Sequence, residues 1–585
     1  MKTTRTLKHA ALATTAALTG ASAIALVAST TSAPPADNPE SKIQNPKSLN
    51  VLLIALEDMP RHGLGTYGGV PRTPHLDAFA RTAVLFNRAY CQSPVCNPSR
   101  TAMATGIRPD KTGVWGNTDQ LKKNLPPQYL TMPEYFKAQG FYTVTFGKFF
   151  HHNYHADKQA RAWMQLENSP TPAGYDGLTM GKQALYKEPP GLPPNPKYNY
   201  KWDPDPAVEK DIEKAYQQWM DARAKYPENS SEYHAARKPF QIAQMYRTGD
   251  SMLLPERDGE HIKMQMAATR LRQFAADGTR FFMSIQTQTS HAPFRAPKKY
   301  LDMYPLETVK TTEHGKDKDV GFTSITRRND RPDLGPKQFT GSGTDRHALQ
   351  AFYACCSFVD DQIKIILDAL DETGLAGNTI VIVWSDHGFQ TGQHDLWCKN
   401  VLFEESSGVP LMIRVPGSPK NGTRRDELVE LIDIFPTLID LLNLPPLPRK
   451  IDGESLVPLL KPDRGARLKQ SAYTATGAGT LKAYGVRHHK YSYGEYIREG
   501  KLVESTLFDL EKDPHEHINL VNKSAQAGIV KMMIAEMNKA FPNRYTDKST
   551  VAEEETPAGE KPAPNSPASA KAKGRNAEKR KAKTK

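Results

Sequence analysis

The chain of 585 residues is long enough for a large core and more than one domain, and its composition is that of an ordinary globular protein. The net charge of +13 lies mostly at the two ends, since residues 571–585 contribute +7 and residues 1–8 contribute +3. This nearly neutral body excludes a charged face for duplex binding, so we expect no nucleic-acid partner. Five cysteines exclude a disulfide scaffold, and their odd number leaves at least one without an intramolecular partner.

The N-terminus has the pattern of a signal peptide. Three basic residues among the first eight precede a stretch of mostly apolar and small residues over 10–27. Residues 1–33 are therefore expected to direct export, to the periplasm or to the outside of the cell. The stretch is too weakly apolar for stable membrane insertion. The Pro- and Ser-rich residues 34–48 are expected to form a disordered lead-in.

Four short apolar runs predict buried strands, and amphipathic stretches between them predict helices. The predicted strands are residues 49–56, 141–146, 281–286 and 379–384. The predicted helices are residues 260–276, 346–372 and 425–443. Alternation of strands with helices indicates an α/β fold around a parallel sheet.

Residues that can carry chemistry follow every predicted strand. Three of the strands lead directly into them, and the third strand in the chain reaches one five residues later. In chain order they are Glu57 and Asp58, Lys148, His291, and Asp386 and His387. Since functional residues gather at the carboxyl ends of parallel strands, we expect these side chains to lie close together.

The remaining segments suggest loops, a second unit and a tail. The polar residues 155–258 are predicted to be a substrate-loop insertion at the mouth of the site, within a catalytic domain over 49–464. Residues 465–549 are predicted to form a C-terminal subdomain with a small antiparallel sheet, including segments near 483–486, 491–496 and 505–508. The Lys- and Ala-rich residues 550–585 are expected to be a disordered basic tail.

A cysteine-containing segment is the strongest single signal in the sequence. Residues 91–106 read as a loop that turns into a helix near Ser99, with Pro98 at a helix-start position. Cys96 then lies near backbone N–H groups and beside the cation Arg100. That setting favours a reactive thiol and suits an anionic substrate.

The segment Cys96-Asn97-Pro98-Ser99-Arg100 resembles the signature of the type I sulfatases, whose cysteine a maturation enzyme oxidises to Cα-formylglycine. The resemblance extends over residues 49–525, with further landmarks in the family's order. They are Glu57-Asp58, Gly147-Lys148-Phe149-Phe150-His151, Ser290-His291-Ala292-Pro293-Phe294, Trp384-Ser385-Asp386-His387-Gly388, Lys399, Leu507-Phe508-Asp509-Leu510 and Asp513-Pro514. The iduronate-2-sulfatase-like branch is the most similar, because two residues separate Lys148 from His151 and His387 follows Asp386.

The resemblance implies an alkaline-phosphatase-like fold, with a large, mixed, mostly parallel sheet flanked by helices and a smaller C-terminal α+β subdomain. It also implies a Ca²⁺ site beside the residue derived from Cys96. The implied metal ligands are Glu57, Asp58, Cys96, Asp386 and His387. The family more often has Asp at the position of Glu57, whose longer arm offers the same hard oxygen ligands. Since histidine is an unusual ligand for a hard cation, His387 either ligates the ion or contacts the sulfate.

The resemblance further implies a role for each of the other side chains of the site. A hydroxyl of hydrated formylglycine attacks sulfur, His291 protonates the leaving alcohol oxygen, and Lys399 stabilises its charge. His151 then takes the proton from the second hydroxyl as sulfate is released. Lys148 and Arg100 stabilise the hydrate and the bridging oxygen.

These features predict a sulfuric ester hydrolase that removes sulfate from carbohydrate, such as a 2-O-sulfated uronic acid in polysaccharide fragments. The predicted partners are this substrate and a formylglycine-generating enzyme. Two alternatives stay open at this point. One is a phosphate or phosphonate ester hydrolase of the same superfamily, and the other is a non-catalytic binding protein on the same scaffold.

Overall fold

The computed structural model describes the central part of the chain with several gaps. The described residues are 49–121, 129–151, 162–167, 206–227, 230–233, 235–236, 249–251, 254–312, 344–397, 399–461 and 469–545. The predicted signal peptide, lead-in and basic tail lie outside these residues, as does most of the 155–258 insertion. The described part of that insertion contains a 20-residue helix, Pro206–Lys225, which the sequence pattern did not predict.

A mixed sheet of eight strands forms the centre of the fold, in the order β12-β2-β11-β9-β1-β7-β4-β5. The strands of the structure are, in chain order, β1 (Asn50–Leu56), β2 (Val84–Phe86), β3 (Ala89–Tyr90), β4 (Tyr142–Phe146), β5 (Gln165–Glu167), β6 (Gly249–Asp250), β7 (Phe281–Thr287), β8 (Arg295–Ala296), β9 (Thr379–Ser385), β10 (Gly408–Val409), β11 (Leu411–Arg414), β12 (Arg424–Arg425), β13 (Val429–Glu430), β14 (Ser471–Ala478), β15 (Leu481–His488), β16 (Tyr491–Arg498) and β17 (Lys501–Asp509). The four strands predicted for this sheet are confirmed as β1, β4, β7 and β9.

The four predicted strands lie side by side and run parallel to one another. Leu56 at the end of β1 pairs with Thr287 of β7 and with Ser385 of β9, so these three strands end at the same level. Antiparallel β11 extends the sheet beyond β9, which makes it mixed but mostly parallel. The predicted α/β fold class is confirmed.

Helices cover both faces of the sheet. They are α1 (Pro74–Ala80), α2 (Cys96–Thr105), α3 (Pro109–Thr112), α4 (Met132–Ala138), α5 (Pro206–Lys225), α6 (Gly259–Asp277), α7 (Lys298–Leu301), α8 (Thr344–Glu372), α9 (Glu404–Ser407), α10 (Ile434–Leu441), α11 (Val457–Leu460) and α12 (Ala527–Ala540). Short 3-10 turns occur at Arg61–Gly63, Gly65–Tyr67, Pro255–Arg257, Leu306–Thr308, Leu375–Asn378, Gln393–Asp395, Leu431–Asp433 and Ser524–Gln526. Among the described helices, none has an apolar stretch long enough to cross a bilayer.

The side chains of β1 show how the two hydrophobic cores are divided. Leu52, Ile54 and Leu56 point into the core that contains α6 and α8. Val51 and Leu53 point to the opposite face, into the core that contains α2, α4 and α10. Because successive side chains of a strand alternate between faces, an uninterrupted apolar run is what a strand buried on both sides requires.

The C-terminal part of the described chain forms an antiparallel meander, β14-β15-β16-β17, with α12 packed against it. The three strand segments predicted here lie within β15, β16 and β17. The small antiparallel sheet is therefore confirmed, whereas the boundaries at 464 and 549 stay predictions.

Two local predictions need correction. Residues 425–443 do not form one helix, because β13 and a 3-10 turn precede the eight residues of α10. In addition, α2 begins at Cys96 rather than near Ser99. Val95, the residue before the helix, has an extended backbone. Cys96 therefore occupies the first helical position, closer to the free N–H groups of the helix than the sequence suggested.

Candidate active site

The carboxyl ends of β9, β1, β7 and β4 bring the predicted residues together. The backbone N–H of Asp58 donates to Asp386 Oδ1 at 3.1 Å, which ties the end of β1 to the end of β9. Asp58 has a left-handed backbone with a φ of 51°. The Ser385 hydroxyl accepts from the N–H of Met59 at 3.0 Å and supports this unusual turn.

Cys96 lies among three of the predicted residues. Its Sγ is 3.3 Å from His387 Nε2, 3.2 Å from Lys399 Nζ and 3.8 Å from Asp58 Oδ1. The cysteine side chain is buried at the start of α2. A group at this position is surrounded by a carboxylate, an ammonium and an imidazole.

Arg100, one helical turn after Cys96, joins two of the strand ends. It is fully buried, with Nε donating to Asp386 Oδ2 at 2.9 Å and Nη2 donating to Glu57 Oε2 at 3.1 Å. Its Nη1 donates to the carbonyl oxygen of Lys148 at 2.5 Å. The guanidinium therefore fixes the ends of β1, β4 and β9 relative to α2.

Glu57 is held by three donors. Besides Arg100, the Lys148 ammonium and the Gln286 side-chain amide both donate to its carboxylate. Burial raises the pKa of Glu57, but Lys148 and Arg100 outweigh that effect and hold the pKa at about 2. The carboxylate is therefore ionised at neutral pH.

Lys399 and Asp58 form a tight pair in the middle of the site. Lys399 Nζ donates to both carboxylate oxygens of Asp58, at 2.8 and 2.6 Å. Burial opposes charge on Asp58, but Lys399, His291 and His387 outweigh it and lower the pKa of this carboxyl. The Lys399 ammonium can therefore stabilise negative charge on Asp58 and on a group at position 96.

His387 is held in the charged form. Burial lowers its pKa, but Asp386 and Asp58 outweigh this effect and raise the pKa to about 9. Its Nε2 lies 3.2 Å from Asp58 Oδ1, and its Nδ1 lies 2.9 Å from the carbonyl oxygen of Gly388. With both ring nitrogens next to acceptors, the ring acts as a two-point donor.

His291 differs from His387 in both geometry and charge. Its Nδ1 faces the carbonyl oxygen of Ala292 at 2.5 Å, and its Nε2 lies 3.7 Å from Asp58 Oδ2. Burial lowers its pKa below the ordinary value. A neutral ring with its proton on Nδ1 leaves Nε2 available for proton exchange on the side of Asp58.

His151 is the predicted residue whose place in this network is least direct. It is buried three residues beyond Lys148, on the segment whose carbonyl oxygens bind Arg100. The hydrogen bonds above, with the 3.7 Å contact between His291 and Asp58, join the other predicted residues into one cluster. The assignment of His151 as a base stays a prediction.

The ligand atoms of two overlapping groups could hold a metal ion. Asp58, Cys96, Asp386 and His387 bring theirs within 4.8 Å of one another, as do Glu57, Asp58, Cys96 and His291. Their carboxylate oxygens are the hard ligands that Ca²⁺ prefers. The donor set therefore fits a calcium ion, with Asp58 and Asp386 at the adjacent carboxyl ends of β1 and β9 among its possible ligands.

Several residues that the sequence analysis missed support the site. Gln286 on β7 binds Glu57 through its amide nitrogen, and its Oε1 accepts the N–H of Lys148 at 2.7 Å. The Ser290 hydroxyl donates to the carbonyl oxygen of Glu57 at 2.6 Å, and Ser99 donates to that of Asp386. A glutamine near the carboxyl end of a predicted buried strand was the available signal for Gln286.

Comparison with known proteins agrees with this geometry. The model of the sulfatase family matches residues 49–444, and that of the C-terminal part of N-sulphoglucosamine sulphohydrolase matches residues 392–542. The chain is 28% identical over 487 residues to a sulfatase of Formosa agariphila, with 81% of this chain and 83% of the relative covered. It is also 28% identical over 454 residues to the iduronate 2-sulfatase of Mus musculus, with coverages of 69% and 70%.

Solved structures agree on the fold. A 2-O GAG sulfatase superposes with a TM-score of 0.58 at 18% identity, covering 85% of this chain and 93% of its own. A phosphonate monoester hydrolase of Silicibacter pomeroyi superposes with a TM-score of 0.63 at 18% identity, with coverages of 85% and 96%. At such identities the likeness concerns the fold alone. The family match over most of the catalytic part is decisive, and the chain is a sulfuric ester hydrolase that belongs to the sulfatase family.

Proposed function

We propose that this enzyme removes sulfate from sulfated carbohydrate, with a formylglycine made from Cys96 as its nucleophile. The observation that carries the proposal is the position of Cys96 at the start of α2, between Lys399 and His387 and next to Asp58. A hydrated aldehyde at this position supplies a hydroxyl close to groups that bind anions and exchange protons. The proposed maturation partner is a formylglycine-generating enzyme.

We further propose that Ca²⁺ binds in this cluster. Asp58 and Asp386 would hold the ion, with Glu57 and the residue at position 96 as further ligands. Bound calcium supplies positive charge that orients and neutralises sulfate oxygens. Because histidine is an unusual ligand for a hard cation and Nε2 of His387 lies 3.3 Å from Cys96 Sγ, we assign His387 to the sulfate rather than to the ion.

The remaining roles belong to the cations and histidines of the chain. His291 suits the leaving oxygen, because its Nε2 faces the centre of the site and its Nδ1 is fixed by a carbonyl. Lys399 and Lys148 border the same space and oppose the negative charge that develops there. Arg100 holds Glu57 and Asp386 in place, and His151 is the proposed base for the later proton transfer.

The proposed substrate class rests on the site and on relatives named for sulfated sugars. An ulvan-active sulfatase of Formosa agariphila is 28% identical over 505 residues, and iduronate 2-sulfatases are among the other relatives. We therefore propose sulfated polysaccharide fragments as substrates, with a 2-O-sulfated uronic acid as the first to test. We also propose that the enzyme works in the periplasm or outside the cell, because residues 1–33 have the pattern of an export signal.

The proposal is tested by comparing ester classes on one preparation. Purified enzyme is assayed with an aryl sulfate, an aryl phosphate, a phosphonate monoester and a panel of sulfated saccharides, beside Cys96→Ala as the control. Sulfate esters should be hydrolysed with the highest kcat/KM, and the variant should be inactive on all of them. A higher kcat/KM for the phosphonate would support the phosphonate hydrolase alternative. Undiminished activity of Cys96→Ala would contradict the proposed nucleophile.

A further inference from the structure

A cavity lies next to His291. Its volume is about 190 Å³, and its wall includes His291 itself, the following Ala292 and Pro293, and the start of α6. His291 therefore borders both the reaction centre, where its Nε2 lies 3.7 Å from Asp58 Oδ2, and this cavity. A group bonded to the oxygen that His291 protonates would have this space within reach.

The wall of the cavity contains a buried ion pair. Lys263 Nζ lies 2.7 Å from Glu260 Oε1, and both side chains are only 3% exposed. The other oxygen of Glu260 accepts the N–H groups of Gln288 and Thr289, at 2.6 and 3.3 Å. Glu260 therefore ties α6 to the loop that carries His291, and it presents Lys263 beside that loop.

The chemistry of the wall favours hydroxyl groups. Asp258 and Glu260 are acidic, whereas Lys263 and Arg295 are basic, so the four charges cancel. Such a wall offers both donors and acceptors to a bound ring, and its two basic side chains can also bind the carboxylate of a uronic acid. An ammonium donates hydrogen bonds, and a carboxylate accepts several of them. Neighbouring hydroxyls of one ring, each both donor and acceptor, match this arrangement.

We infer that this cavity is the subsite for the sugar ring that carries the sulfate ester, recognised through its hydroxyl groups by Lys263 and Asp258. The inference rests on the proposed function and adds to it the part of the substrate beyond the sulfate. A sugar that is unsubstituted at the hydroxyls facing this wall should therefore be preferred over one with a second sulfate there.

The test separates recognition of the ring from hydrolysis of the ester. Two variants are prepared, Lys263→Met and Asp258→Asn, with Arg272→Met as a control at an exposed position of the same helix. Asparagine keeps the N-cap bond in which Asp258 accepts the N–H of Glu260 at 2.8 Å. The kcat/KM is measured on an aryl sulfate and on the saccharide that the unaltered enzyme hydrolyses best. Inhibition of the aryl sulfatase reaction by the desulfated saccharide is measured as well.

Each substitution should lower kcat/KM for the saccharide about tenfold or more relative to the aryl sulfate. The inhibition constant of the desulfated saccharide should rise in parallel, and Arg272→Met should change neither value. Equal losses on both substrates would overturn the inference, because they would indicate damage to the His291 loop alone. Unchanged saccharide kinetics would overturn it too. Aryl sulfatase activity without any saccharide activity in the unaltered enzyme would contradict the proposed substrate class, and this inference with it.

Discussion

His291 and His387 lie on either side of Asp58, yet their surroundings give them opposite protonation. Asp386 and Asp58 raise the pKa of His387 to about 9, whereas burial outweighs Asp58 and Glu57 and lowers the pKa of His291. A histidine with a lowered pKa can take up a proton on Nε2 and pass it to the leaving oxygen, whereas one held in the charged form at neutral pH serves to bind an anion. This difference supports the proposed roles, which are proton transfer for His291 and sulfate binding for His387.

A substitution of His291 should therefore affect poor leaving groups most. His291→Ala is expected to lower kcat by about 10²–10⁴-fold on an alkyl or sugar sulfate, whose alcohol needs a proton to leave. An activated aryl sulfate leaves as a stable phenolate and should lose far less. Steady-state kinetics on both substrates measure the effect. Equal losses on the two substrates would argue against proton donation by His291.

Arg100 should matter for folding as well as for activity. Arg100→Met removes an ion-pair partner from each of two buried carboxylates, Glu57 and Asp386. We expect the free energy of unfolding to fall by about 3–5 kcal/mol, measured by urea denaturation in the presence of a chelator. Arg272→Met removes an exposed ion pair and should cost under about 1 kcal/mol. Similar losses for the two variants would show that the Arg100 pairs contribute little.

At the scale of the elements, sequence reasoning succeeded where the pattern was strong. The mostly apolar runs predicted β1, β4, β7 and β9, because strands buried on both faces are apolar on both. Their carboxyl ends then predicted which side chains would meet. The short strands β2, β11 and β12 were missed, since two to four residues are too few for a periodic signal.

The weakness of short local patterns also explains the errors of detail at the site. The start of α2 was placed too late because Pro98 suits several positions in a first helical turn. Residues 425–443 were predicted as one helix because β13 and the following turn are apolar at similar spacing. The Gln286 contact with Glu57 depends on the register of β1 against β7, which no local pattern specifies.

The loop after β9 depends on a close backbone approach. A Cβ on Gly388 would lie 1.9 Å from the carbonyl oxygen of Glu405, and the Gly388 carbonyl positions His387. Gly388→Ala should therefore displace His387, abolish most activity and destabilise the fold by about 1–3 kcal/mol. Gly528→Ala in α12 meets no atom within 4 Å and should be neutral or slightly stabilising. Full activity of Gly388→Ala would contradict this role of the loop.

Across the whole molecule, the C-terminal meander supports the segment that carries Lys399. Arg487 on β15 donates to the carbonyl oxygen of Leu402 at 2.6 Å and to Glu404 at 3.0 Å. The Thr476 hydroxyl on β14 donates to Asn400. The site is thus completed by contacts between regions more than 75 residues apart in the chain. Binding at the site should consequently stabilise the whole described fold.

Removal of calcium tests whether binding at the site stabilises the fold. Chelation with EGTA should abolish sulfatase activity and lower the melting temperature, because a ligand that binds only the folded state stabilises it. Calcium at about 100 times its Kd should restore about 2.7 kcal/mol, and magnesium at the same concentration less, since it demands a tighter octahedral shell. Differential scanning calorimetry and an aryl sulfate assay on the same samples give both readouts. Full activity after exhaustive chelation would argue against a metal in the mechanism.

The central claim is that Cys96 is converted to the nucleophile. Mass spectrometry of the tryptic peptide Ala89–Arg100, from protein produced in its native host, tests it most directly. The account predicts the mass of formylglycine at position 96, together with unmodified Cys91, which is buried and bonded to the carbonyl oxygen of Ser406. An unmodified Cys96 thiol in soluble, folded and active enzyme would contradict the account.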